Sequence, residues 1–238
     1  LNYFFIGILR YVNIQNSSVM MDAFIIFLLV CIFLYSLCGG KIPWQRANNK
    51  LLYISLVWMI YVFFELFNPS AVIEAWVYTR NSFYNFTLLV LLTSLLLSRV
   101  LDIKRILFLL SIFTLIAIAK ALIQRYIGFD AGENAWLIRS ESYKTHLLPS
   151  GIRYFSIFSD AGNFGSNMGM AAVVFMILSF YMSNKKLRYY YRFVSLFAAY
   201  GLIMSGTRGA MIVPLGGLAM FILLNKNVRY IVGGAICL

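Results

Sequence analysis

The sequence predicts an all-α fold, a polytopic transmembrane helix bundle with about seven complete spans and two truncated terminal spans. Three observations predict it. The 238-residue chain is 62% hydrophobic and only 12% charged, against about 25% charged residues in soluble domains. Charge-free apolar runs recur along its whole length. The basic residues gather in alternate connections between those runs. Aromatic residues make up 17%, which suits a protein with two membrane interfaces. A water-soluble enzyme, a disordered tail and a nucleic-acid module all fit this composition badly.

The runs fall at 23–38, 51–64, 82–98, 106–119, 163–184, 189–207 and 209–225. Each is apolar throughout and does not alternate, which favours helices over barrel strands. A bilayer core satisfies no backbone polar groups, whereas a helix satisfies its own. Leu1–Leu9 and Tyr230–Leu238 are each about half of the roughly 20 residues that a span needs. They read as spans cut at the ends of a longer protein. The first has neither the basic start nor the small-residue cleavage site of a signal peptide. Pro214 is the one proline inside a run and predicts a kink there. The whole chain, 1–238, reads as a single transmembrane domain, with 125–162 as its outer-face connection.

Orientation follows from the connections. Residues 39–50 carry Lys41, Arg46 and Lys50; residues 99–105 carry Arg99, Lys104 and Arg105 against Asp102. Residues 185–192 carry Lys185, Lys186, Arg188 and Arg192, and residues 226–229 carry Lys226 and Arg229. These four hold twelve Lys and Arg against one acid, and the remainder of the chain eight against seven. Most of the formal charge of +12 is therefore a positive-inside signal that places these connections in the cytoplasm. It does not call for nucleic acid as a partner.

The middles of the runs contain no ionisable residue, which argues against a proton-coupled pump. Asp22, Glu65 and Lys120 lie near ends that the topology places outside. Cys31, Cys38 and Cys237 show no metal spacing and read as small buried hydrophobes. His146 stands alone. No metal site and no cofactor is expected.

Chemistry is therefore sought on the outer face. Within 120–162 polar residues of both signs collect, and Trp136 and Leu137 suggest a short interfacial helix. The following segment, Gly151 to Gly165, contains Arg153 and then Ser159, Asp160 and Asn163, all residues that start helices. An arginine beside a helix N-terminus suits a phosphate. Gly165 and Gly169 have the GxxxG spacing of close helix packing. The second feature is the tight turn Ser205-Gly206-Thr207-Arg208-Gly209-Ala210. Topology depletes arginine on this face, so Arg208 either snorkels to headgroups or meets an anion. Ser205 and Thr207 flank it with hydroxyls. Two arginines on one face suit bidentate grip of a pyrophosphate.

At these residues the sequence resembles the O-antigen ligase and O-antigen polymerase family of bacterial polytopic membrane proteins. The turn resembles the family's Ser-Gly-Ser-Arg-Gly-Ala signature, with Thr207 for the second serine. Arg153 through Phe158, Asp160 and Asn163 resembles its Arg…Phe…Asn/Asp-Pro-Asn segment, with Ala161-Gly162 where proline is usual. The resemblance covers residues 120–225 by motif and the rest by hydropathy. It implies a metal-independent glycosyltransferase of the bacterial cytoplasmic membrane with a periplasmic active face. Such a protein transfers or polymerises glycan from an undecaprenyl-pyrophosphate donor onto a glycan or lipid A core acceptor. It implies donor contacts at Arg153, Arg208, Asp160, Asn163, Ser205 and Thr207, and a catalytic base beyond Leu238.

Other readings compete. A metal-dependent membrane glycosyltransferase needs acids in its first outer loop, and residues 12–20 have none. A flippase of lipid-linked oligosaccharide should show repeated halves with broken helices, and no repeat is seen. A non-catalytic subunit of a polysaccharide export complex leaves Arg208 unexplained.

Overall fold

The computed structural model describes residues 7, 18–70, 72, 84–97, 99–149 and 151–225 of the chain. The two terminal half-spans expected above lie outside these residues, apart from Gly7. Elsewhere every apolar run becomes a helix, in sequence order: α1 (Ser18–Leu37), α2 (Lys50–Phe64), α3 (Tyr84–Leu96), α4 (Val100–Tyr126), α5 (Ala131–Arg139), α6 (Tyr143–His146), α7 (Ala161–Tyr181), α8 (Lys185–Met204) and α9 (Ile212–Asn225). A two-stranded hairpin, β1 (Leu147–Leu148) with β2 (Gly151–Ile152), sits between α6 and α7.

Among the described residues, three helical segments are long and apolar enough to cross a membrane: Lys50–Phe67, Val100–Tyr126 and Ala161–Tyr181. Asp22–Leu37, Tyr84–Leu96 and Arg208–Leu224 are equally apolar but shorter. α8 is 20 residues long, yet its first two turns hold Lys185, Lys186, Arg188 and Arg192. Charge takes residues out of hydrocarbon without ending a helix. For the same reason α4 continues through Asp102, Lys104 and Arg105 at one end and through Lys120 and Arg125 at the other.

The chain divides into two compact units, Asn16–Arg105 and Leu1–Gln15 with Ile106–Leu238. In the first, α3 packs against α1 and α2. Asn85 donates to the Asp22 carboxylate at 2.6 Å, and Thr87 donates to the Ser55 carbonyl at 3.0 Å. Asn49 caps α2 through the Leu52 amide and donates to the Ser94 hydroxyl at 3.0 Å. Cys31 and Cys38 are exposed, not buried as the composition suggested. α1 presents most of its described side chains outward, among them Phe27, Phe33 and Leu34, so Cys31 lies on an uncovered apolar surface and Cys38 just past its end. Cys237 falls outside the described residues.

In the second unit α7 is the central helix, packed on α8 and α9. Phe164, Met168, Phe175, Tyr191, Val194 and Ala198 form the middle of the core. The Phe175 and Tyr191 rings stack with centroids 5.8 Å apart, and Ser195 donates to the Ala172 carbonyl at 2.6 Å. The GxxxG pair is a contact surface. A side chain on Gly165 would meet the Ser205 hydroxyl and, at 2.9 Å, Ala210 Cβ; one on Gly169 would lie 2.8 Å from Pro214 Cδ. Small residues here let α7 approach the 205–214 segment at backbone distance. Pro214 follows the change from the 3-10 helix Arg208–Met211 to α9. It occupies the first turn of α9, where the missing N–H takes no bond from the helix interior.

Candidate anion-binding site

The connection from Lys120 toward α7 is built on the end of α4. Lys120 reaches Asp130 at 2.9 Å and Glu133 at 3.1 Å. Asp130 and Glu133 form a capping box at the start of α5, each side chain accepting from the other's backbone amide. Gln124 donates to Glu133 at 2.7 Å and to the Ser156 carbonyl at 3.2 Å, and its own carbonyl accepts from the Ser156 amide at 2.8 Å. Ser156, at φ 51°, donates its hydroxyl to the Ala117 carbonyl at 2.6 Å. Glu133, Gln124 and Ser156 are all buried. Buried polar groups need such complete pairing, and the result is a fixed loop where the chain turns toward α7.

Aromatic packing completes the support. Phe155 is fully buried, stacked on Phe129 at 5.3 Å and flanked by Trp136 and by His146 edge-on. His146 is buried there, its Nδ1 2.8 Å from the Ser142 carbonyl. A short helix expected around Trp136 and Leu137 is present as α5, with Leu137 turned into this cluster. From His146 the chain forms the hairpin, in register Leu147↔Ile152 and Leu148↔Gly151. The Arg153 amide then donates back to the His146 carbonyl at 2.8 Å.

The turn after α8 is equally fixed. Gly206 takes φ +59°, the left-handed conformation that closes many helix C-termini and that other residues adopt at a cost. Ser205 is fully buried; its hydroxyl donates to the Leu202 carbonyl at 2.7 Å and accepts from the Thr207 amide at 3.2 Å. Thr207 donates to the Ser205 carbonyl. Residues Arg208–Met211 continue as a 3-10 helix. The Tyr154 amide donates to the Met204 carbonyl at 3.3 Å, tying the hairpin's exit to the end of α8. A side chain on Gly206 would lie 3.1 Å from Arg153 Cγ.

These two segments, more than 50 positions apart in the chain, line one cavity of about 640 Å³. Arg153 comes from the hairpin side with Gly151 and Ile152, and Arg208 from the turn with Gly206, Thr207 and Gly209. The lining contains no acid. Among the described residues neither guanidinium has an ion-pair partner. The volume is in the range of small-molecule sites, roughly 300–1,000 Å³.

Of the six residues singled out from sequence, Arg153, Thr207 and Arg208 line this cavity; Ser205, Asp160 and Asn163 do not. Ser205 braces the turn from beneath. Asp160 is the N-cap of α7, accepting from the Asn163 amide at 2.8 Å. Asn163 donates to the Asp160 carboxylate and to the Ser159 hydroxyl, both at 2.7 Å. The anion at this helix N-terminus is thus the protein's own. The Lys120–Glu133–Gln124–Ser156 network was not foreseen from sequence. Asp130-x-x-Glu133 has the spacing of a capping box, and Lys120 and Gln124 stand four apart on one helix face. Comparison with family models, curated proteins and solved structures finds no match to this chain.

Proposed function

We propose that this chain is the donor-binding part of a membrane glycosyltransferase of the O-antigen ligase or polymerase type. In this reading it transfers or polymerises glycan from an undecaprenyl-pyrophosphate donor at the outer face of the bacterial cytoplasmic membrane, toward a glycan or lipid A core acceptor in cell-surface polysaccharide biosynthesis. One observation carries the reading: Arg153 and Arg208, from two separate motifs, line a single acid-free cavity. Negative charge develops on the pyrophosphate as its bond to the sugar breaks. Two fixed guanidiniums stabilise that charge more in the transition state than in the ground state, which lowers the barrier. Thr207, which lines the same cavity, adds a hydroxyl oxygen at the rim.

Several features support a membrane setting for this chemistry. Lys41, Arg46 and Lys50, and separately the basic start of α8, agree with cytoplasmic connections under the positive-inside rule, and the seven apolar helices are then read as spans. A second cavity, of about 380 Å³, is lined mainly by apolar side chains of α4 and α7, Leu110, Phe113 and Met170 among them, beside Ile157 and Phe158. It suits the start of a hydrocarbon chain.

The test is genetic. Arg153→Ala and Arg208→Ala in the full-length protein are expected to abolish surface glycan transfer while membrane insertion stays normal. Normal surface polysaccharide in both variants overturns the proposal. Accumulation of the lipid-linked donor on the cytoplasmic leaflet would point to a flippase instead.

A further inference from the structure

The unit Asn16–Arg105 contains a different basic groove, which the reading above does not use. α1 is closed just past its end by Gly39, with φ +82°, and the Gly40 amide donates to the Tyr35 carbonyl at 3.0 Å. The chain then carries Lys41 and Pro43 into a 3-10 helix, Trp44–Ala47, that includes Arg46. The Asn49 side chain pins the far end of this loop to Ser94 of α3 and to the Arg46 carbonyl. The loop is therefore held on both sides, and Lys41 and Arg46 project from a fixed frame.

Beneath it lies a cavity of about 460 Å³ between α1 and α3. Leu28, Ile32, Leu95 and Leu96 form its apolar floor, and Lys41 and Arg46 stand at its rim. No acid lines it. Among the described residues Lys41 and Arg46 have no ion-pair partner. Trp44, on the same 3-10 helix, is 58% exposed, as an aromatic anchor at headgroup level would be.

We infer that this groove binds one anionic phospholipid, with its phosphate between Lys41 and Arg46 and an acyl chain along α1 and α3. Charge complementarity selects the headgroup, because two uncompensated cations with no nearby acid attract a phosphate. The apolar floor selects a lipid over a free phosphate, which would leave that floor against water. It also disfavours a peptide, whose backbone amides would find few partners there.

The test uses the full-length protein in detergent, equilibrated with equal amounts of phosphatidylglycerol and phosphatidylcholine of the same acyl chains, and native mass spectrometry of retained lipid. A preference for phosphatidylglycerol of roughly 10- to 30-fold is expected, from about fivefold per cation. Lys41→Gln with Arg46→Gln removes it. Ile32→Trp fills the floor and lowers retention with both cations still present. Lys50→Gln, a cation of the same loop outside the cavity lining, leaves the preference intact, as does Arg153→Gln with Arg208→Gln. Excess inorganic phosphate does not displace the lipid. Equal retention of phosphatidylglycerol by the Lys41/Arg46 variant, loss of the preference in the Arg153/Arg208 variant, or displacement by phosphate overturns the inference.

Discussion

Gln124 and Ser156 exchange two hydrogen bonds, the Gln124 side-chain amide donating to the Ser156 carbonyl at 3.2 Å and accepting from the Ser156 amide at 2.8 Å. A side chain here does what a neighbouring strand would do, and it fixes the backbone three residues after Arg153. Gln124→Ala removes two buried hydrogen bonds to the Ser156 backbone and a partner of Glu133. At about 1–3 kcal/mol for a buried group that loses a partner, the loss is expected to be about 2–4 kcal/mol in denaturant unfolding of the purified protein. Gln124→Glu should be at least as damaging, since it sets a second carboxylate against Glu133. An unfolding midpoint unchanged in both variants would show that the network does not hold the loop.

The turn at Gly206 combines conformation and contact. Gly206→Ala must keep a left-handed backbone, at about 1–2 kcal/mol, and its methyl would press on Arg153 Cγ at 3.1 Å. Both stability and anion affinity should fall. Gly209→Ala, where an added Cβ meets nothing within 4 Å, should leave stability within about 0.5 kcal/mol of the parent. Similar losses in the two variants would contradict the assigned turn geometry.

At Gly165 two effects oppose each other. Alanine is the better helix former by roughly 0.5–1 kcal/mol, but its methyl would overlap Ala210 Cβ at 2.9 Å and the Ser205 hydroxyl. Overpacking typically costs about 1–3 kcal/mol, so Gly165→Ala is expected to destabilise. Adding Ala210→Gly should recover part of the loss. Thermal unfolding of the single and double variants decides it, and a stabilised single variant would rule out the close approach of α7 to the turn.

Lysine keeps the charge of arginine but not its planar fork. Arg153→Lys and Arg208→Lys are each expected to weaken binding of a short-chain prenyl pyrophosphate by about tenfold or more, since a charge-assisted bond contributes roughly 1.5–3 kcal/mol. Arg208 is exposed and Arg153 half-buried. The Arg208 contribution should therefore fall more steeply with added salt. Calorimetric titration measures both, and lysine variants with parental affinity would make these residues simple point charges.

The helices were legible because hydrocarbon demands long apolar runs, and every described run became one. Their ends were not. Lys104, Arg105, Lys120 and Arg125 read as loop residues because they are charged, yet α4 includes them all, since charge opposes burial and not helical geometry. Arg153 and Arg208, singled out from two separate motifs, line one cavity. What joins them was not legible: a side-chain amide four residues beyond Lys120 pairs with a backbone 32 positions away. The helix-start residues Asp160 and Asn163 were recognised as caps. That a good cap satisfies its own helix, and so closes the N-terminus to an outside anion, follows only from the Asp160–Asn163 distances.

α4 also acts as a depth gauge. Its charge-free stretch, 106–119, covers roughly 21 Å at about 1.5 Å per residue, whereas a typical hydrocarbon core is about 30 Å thick. A lysine at such a boundary normally stretches outward to reach water. Lys120 does not have that freedom, because Asp130 and Glu133 hold its ammonium at 2.9 and 3.1 Å. On the proposed membrane reading, this end of α4 would then be matched by the lipid, which thins locally around it. On that reading the headgroup plane would dip beside the hairpin that carries Arg153, and the phosphate of a lipid-linked donor would meet the cavity at its own depth.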